Sequence, residues 1–517
     1  MSATGHLPDL LVRGRPAKAS TWGQREIGLR AERRDGDDAR VHIDIKVTGG
    51  VVRGETQADL AVFRGIPYAA PPVPFGAPQP VQAWDGVREA TRFGPPPPQP
   101  AVFGMDALAE EGDDWLTVNV WSPDLGGGLP VMVWIQGGAY TFGMSGLPEY
   151  DGSNLARGGV VVVTFNYRVG LEGFGYVEGT PANRGLLDQV AAFEWVQSNI
   201  SAFGGDPNRV TAFGESSGGG SVAALLAMPR AAGLFHRAIA QSVPGTYFTP
   251  ELAADITRAC AAELGLEPDE LATVDPRLLP PAGEAIRAKM GQFGGRWGQA
   301  AHGLIPFAPV IDGDVLPTTP WRGLTGQIEL MVGHTRHEQR LLTAVSGMLG
   351  KITEAQAIET ARIFAPDPRR YRESFPDPEE LYEVVRSDWL FRMPSLKLAE
   401  AQLEAGGLAY LYELTWSAPG MGGVLGACHG LDVPLVFGNL TAGQPAMLIG
   451  DSTVEAAALS QQMRSAWTAF ATSGDPGWPT YNTGSTRLFD VEPVVTAYPE
   501  EVSRKIWRDY PGVLDLV

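Results

Sequence analysis

Cysteine is almost missing from this chain, which has only Cys260 and Cys428 in 517 residues. That excludes the disulfide framework of a small secreted scaffold and makes two free thiols the expectation. Long apolar runs are missing too. No stretch approaches the roughly 18 apolar residues of a membrane span, and the opening "MSATGHLPDLLVRGRPAKAS" has no apolar signal core. Together these absences point to a cytoplasmic protein with no membrane span. Positive charge is scarce, with 40 Lys and Arg against 59 Asp and Glu for a net charge of −19. The first 40 residues hold eight Lys/Arg and six Asp/Glu, which leaves the body at −21. Such a body repels polyphosphate, so nucleic acid and anionic membranes are excluded as partners and neutral or cationic small molecules are favoured.

What is present is core material. Hydrophobic residues make up 44% and aromatics 9%, enough for a large globular core. Residues 1–45 are polar and arginine-rich and read as a poorly ordered extension. From residue 46 to 517 the pattern is that of one domain. Proline-rich pieces such as "PYAAPPVPFGAPQP" cannot be central strands or helix interiors and read as loops. "VMVWI" (131–135) and "VVVVTF" (160–165) are short β-branched runs of the kind buried in parallel sheets. Apolar residues at 186, 190, 193, 196 and 200 draw one helix stripe. "RVTAF", "HRAIAQS", "IELMVG" and "LAYLYEL" continue the strand pattern between helical segments, which predicts an α/β fold with a mostly parallel sheet and helical insertions.

The stretch "VTAFGESSGGGSVAA" (210–224) offers three serines. A flexible Gly/Ser loop would carry no chemistry. A strained turn between strand and helix would present one hydroxyl, and it needs small residues two before and two after the serine. Ser216 has Gly214 and Gly218 there, whereas Ser217 has Glu215 before it and Ser221 has Ala223 after it. A phosphate loop would need a lysine, and the stretch has none. A serine nucleophile requires a base, and histidine has the suitable pKa. His6 and His42 fall in or beside the extension and His236 opens a strand, leaving His302, His334, His337 and His429. Where such a turn carries the nucleophile, the acid and then the histidine follow along the chain, a place that His429 in "GACHGLDVP" fits. "HTRHE" matches neither spelling of a zincin motif, so no metal is expected, and a serine nucleophile with a histidine base calls for no cofactor.

Ordered blocks then extend the pattern: "FRGIPYAAPP", "DDWLTVNVWSP", "VMVWIQGGAYTFG", "NRGLLDQVAAFEWV", "SAFGGDPNRVTAFGESSGGG", "GACHGLDVPLVFG" and "WTAFATSGDP". In this order they resemble the type-B carboxylesterase and cholinesterase-like branch of the α/β-hydrolase fold, in its bacterial p-nitrobenzyl-esterase-like form, from about Val47 to the C-terminus. The resemblance implies Ser216 as nucleophile, His429 as base and Glu338 in "GHTRHEQR" as the acid. It implies an oxyanion hole from the backbone amides of Gly138, Ala139 and Ser217, with Gly137 and Ser242 in support. His337 and Gln339 depart from the aspartate and glycine that usually flank the acid. Tyr140, Phe142 and Phe307 are candidates for lining a substrate pocket. The implied activity is hydrolysis of small carboxylic esters through an acyl-enzyme. Amide or carbamate hydrolysis by the same triad is the alternative, and a non-catalytic binding protein on this fold is a further one.

Overall fold

The computed structural model describes residues 28–31, 41–101, 112–443, 445–450, 453–510 and 512. Fourteen strands form one sheet among them: β1 (Gly28–Ala31), β2 (Val41–Val47), β3 (Gly50–Gln57), β4 (Leu60–Pro67), β5 (Val87–Glu89), β6 (Thr117–Ser122) and β7 (Leu129–Ile135). They continue with β8 (Val161–Phe165), β9 (Gly205–Glu215), β10 (Arg237–Gln241), β11 (Glu329–Thr335), β12 (Ala409–Leu414), β13 (Ser485–Phe489) and β14 (Val494–Ala497). The spatial order is β1-β2-β3-β4-β6-β8-β7-β9-β10-β11-β12-β13-β14, with β5 beside β3. From β8 through β13 every neighbouring pair is parallel, as the sequence predicts. The β1–β4 flank, β6 and the last strand, β14, pair antiparallel.

The sheet starts inside the segment set aside as an extension. "VHIDIKV" alternates, burying Ile43, Ile45 and Val47 on one face, so the ordered fold extends upstream of residue 46 at least to Val41. Gly28–Ala31 also pairs with it. The rest of the expected extension, 1–27 and 32–40, lies outside the described residues.

Alternation along the central strands also builds two cores. Val131, Val133, Ile135, Val161 and Val163 face one cluster, with the helices Arg184–Asn199, Ser217–Ala227 and Met393–Glu404 packed over it. Met132, Trp134, Val162, Phe213 and Met331 face the other, covered by Val454–Ser473. Burial on both faces is why these strands read as continuous apolar runs. Helical insertions occupy the connections after β10 and β11, among them Pro250–Glu263 and Glu354–Phe364. Ser216, Ser242, Glu338 and His429 all follow the C-terminal ends of parallel strands, the edge where such sheets carry their sites.

Candidate active site

β9 ends at Glu215, and the helix Ser217–Ala227 begins two residues later. Ser216 makes the whole turn, at φ 58° and ψ −128°. A side chain in that region costs about 1–3 kcal/mol and persists only where its surroundings fix it. Here Ser216 N–H donates to the Gln241 carbonyl at 3.0 Å, and the Ser216 carbonyl accepts from Gly220 at 2.9 Å. The two glycines of the motif allow the turn to close. A Cβ on Gly214 would sit 2.7 Å from Gly218 backbone and from the Ile135 carbonyl oxygen, and a Cβ on Gly218 would collide with that same oxygen.

The structure brings the three side chains together. His429 Nε2 lies 2.9 Å from Ser216 Oγ, and His429 Nδ1 lies 2.6 Å from Glu338 Oε2. Glu338 is fully buried and opens the helix Glu338–Val345. Its other oxygen accepts from Thr335 N–H at 2.8 Å and from Ser242 Oγ at 2.7 Å. Burial alone would raise its pKa, but the His429 charge and these hydrogen bonds outweigh burial and hold the carboxyl below its usual range. A carboxylate at Nδ1 fixes the proton there, so Nε2 keeps a lone pair to accept the Ser216 proton.

The segment after β7 passes directly against the serine. A Cβ on Gly137 would lie 3.1 Å from Ser216 Cβ. Gly138, Ala139 and Tyr140 follow with φ of 123°, 53° and 57°, a turn whose Gly138 carbonyl accepts from Thr141 at 2.9 Å and Phe142 at 3.1 Å. Gln136, buried at the end of β7, gives its carbonyl to Tyr167 Oη at 2.7 Å. The aromatic candidates separate. Phe142 is half-buried beside Met144 and Leu147. Tyr140 packs against Phe174 with ring centroids 4.7 Å apart, and it belongs to the core. Phe307 is also core and faces a small cavity shared with Thr141, Val169 and Leu171. Both rings fill space between elements.

A carboxylesterase-family profile matches residues 40–367 and 369–502. The chain belongs to the carboxylesterase family. It is 38% identical over 485 residues to the para-nitrobenzyl esterase of Bacillus subtilis (strain 168), covering 88% of this chain and 96% of that protein. It is 35% identical to the fumonisin B1 esterase of Sphingopyxis macrogoltabida, covering 84% and 83% of the two chains. Among solved structures it resembles a PNB esterase with a TM-score of 0.80 at 35% identity, covering 89% and 98%. A carboxylesterase from Geobacillus stearothermophilus gives 0.78 at 33%, covering 90% and 99%. The fold is therefore that of the α/β-hydrolases, and the protein is a serine carboxylic ester hydrolase. Among the described residues no helix is long and apolar enough to cross a membrane, and no cluster of three or more His, Cys, Asp or Glu could hold a metal.

This carboxylesterase surrounds His429 with groups that the sequence reading missed. Glu215 Oε1 lies 3.2 Å from His429 Nε2 and, His429 aside, is without a hydrogen-bond partner among the described residues. Burial pushes the Glu215 carboxyl up to about 8. Asp432, also buried, accepts from Gln241 Nε2 at 2.8 Å and Tyr412 Oη at 3.1 Å, and burial pushes it up to about 6. For His429 burial favours the neutral ring, but Glu215 and then Glu338 overcome it and push the imidazole up to about 9. Phe391 stacks on the same ring, centroids 4.2 Å apart and planes 24° apart, from a π-helical turn at Asp388–Arg392. Glu215 was legible as a carboxyl next to the elbow serine at a buried strand end. Phe391 had no local signal.

Proposed function

We propose that Ser216 attacks the carbonyl of a small carboxylic ester while His429 takes its proton. His429 then protonates the leaving alcohol, and water activated by the same imidazole releases the acid. Glu338 orients His429 and stabilises its protonated form. The backbone N–H groups of Gly138, Ala139 and Ser217 receive the developing oxyanion, with Gly137 leaving the approach open and Ser242 holding Glu338. Fixed donors of this kind are each worth about 2.7–4 kcal/mol in the transition state. The observation that carries the reading is the continuous chain from Ser216 through His429 to Glu338, with links of 2.9 and 2.6 Å. The acidic body favours neutral or cationic esters. Two free, buried cysteines support a reducing, cytoplasmic setting.

The test is a panel of p-nitrophenyl esters, aryl amides and carbamates, combined with mass spectrometry after a fluorophosphonate. Esters are expected to turn over fastest, with one phosphonyl group on the Ser216 peptide. Faster amide or carbamate turnover would move the substrate class. A label elsewhere, or no turnover at all, would remove the mechanism.

A further inference from the structure

The residues just before the proposed acid and base face each other. His337 precedes Glu338, Cys428 precedes His429, and the two form an isolated parallel bridge. His337 N–H donates to the Ala427 carbonyl at 2.9 Å. The imidazole then closes a second bond, Nδ1 accepting Ala427 N–H at 3.2 Å. One residue therefore takes up both backbone groups of Ala427, two positions before His429. The ring reaches this place because position 426 has no side chain: a Cβ on Gly426, which holds φ +59°, would lie 2.6 Å from His337 Nδ1. On the acid side, Arg392 Nη1 donates to the carbonyl of Arg336 at 3.2 Å and fixes the residue before the clamp.

We propose that His337 is a positioning residue: its neutral imidazole clamps the Ala427–His429 loop to the Glu338 turn and so sets the Glu338–His429 contact. This rests on the roles given to Glu338 and His429 above. Without the side-chain bond, the two loops meet through the backbone bridge alone and the 2.6 Å contact is free to lengthen. The clamp needs a lone pair on Nδ1, hence the Nε2–H tautomer. A protonated ring would set N–H against the N–H of Ala427. Burial, followed by Arg340, Arg392 and Arg336, holds this imidazole down at about 3 against the opposing pull of Glu500. The acceptor is therefore kept through neutral and mildly acid pH.

The experiment compares His337→Leu, His337→Asn and Gly426→Ala in the full chain with a p-nitrophenyl ester. Leucine fills the volume without an acceptor, and kcat should fall about 10- to 100-fold, the cost of a small misplacement, with KM little changed. The acid limb of the kcat profile should move to lower pH, and the downfield proton resonance of the His429 Nδ1–H should move upfield, as the pull of Glu338 weakens. Asparagine carries Oδ1 where histidine carries Nδ1, and it should restore kcat, the pH profile and the resonance. Gly426→Ala pushes the ring aside without changing it and should reproduce the leucine result, also serving if His337→Leu does not fold. Wild-type kcat and pH profile in His337→Leu or Gly426→Ala would overturn the clamp, as would asparagine performing no better than leucine. A full-rate Glu338→Gln would instead remove the underlying reading of the acid.

Discussion

Ser216 is held by backbone within its own turn and the adjoining strand ends, whereas His429 is held by side chains from separate segments of the chain. The serine turn depends on Gly214, Gly218 and the carbonyls of Ile135 and Gln241, with no side chain of its own neighbours fixing its φ and ψ. The histidine meets Glu338 from after β11, Glu215 from the end of β9 and Phe391 from the turn before Met393–Glu404. A site built from backbone tolerates changes of charge but not of volume. One built from carboxylates does the reverse, because each charge sets the proton affinity of the ring they share.

The largest break in this comparison is removal of the hydroxyl. Ser216→Ala should lower ester turnover by on the order of 10⁶-fold, the effect of losing a serine nucleophile. Thermal unfolding should be unchanged, since the turn is fixed by backbone, and steady-state kinetics with a calorimetric scan check both. Glu338→Gln attacks the other side. The amide keeps the shape but removes the charge and can present N–H to Nδ1, favouring the wrong tautomer, so kcat should fall about 10⁴-fold. A near-wild-type rate would move the acid's role to Glu215 or Asp432, the other carboxylates near the ring.

The same contrast explains what was legible. The elbow is local, and its sterics are written in the spacing of Gly214, Ser216 and Gly218, so residue types alone could select Ser216. The parallel strands were readable because burial on both faces leaves apolar runs such as "VVVVTF". Glu338 was reachable only through the likeness of whole blocks to a family, since nothing in "GHTRHEQR" says which of its groups will face a histidine 91 residues later. Phe391 and Asp432 were not reachable at all, because their roles come from tertiary packing. Tyr140 and Phe307 show the pull of packing: aromatic residues near a motif are drawn into the core by the area they bury.

Gly218→Ala tests volume on the backbone side. Its methyl would run into the Ile135 carbonyl, so the strand and helix must separate, at a cost of about 1–3 kcal/mol in stability. Activity should fall about 100-fold as Ser216 shifts relative to His429, a drop that denaturant titration and kinetics can separate.

Glu215→Gln is the mildest change and isolates charge on the histidine side. It removes the carboxyl that does most to raise His429 while preserving size, and it leaves Glu338 in place. With that charge gone, the imidazole loses its proton at lower pH. Because only the neutral ring can accept the Ser216 proton, the acid limb of kcat/KM should move to lower pH. Each pH unit of movement is worth a factor of about ten in the neutral fraction below the limb. The plateau rate should change far less than in Glu338→Gln, since the tautomer is still fixed at Nδ1. An unmoved limb would mean that Glu215 stays protonated across the working range and that Glu338 alone sets the affinity of His429 for its proton.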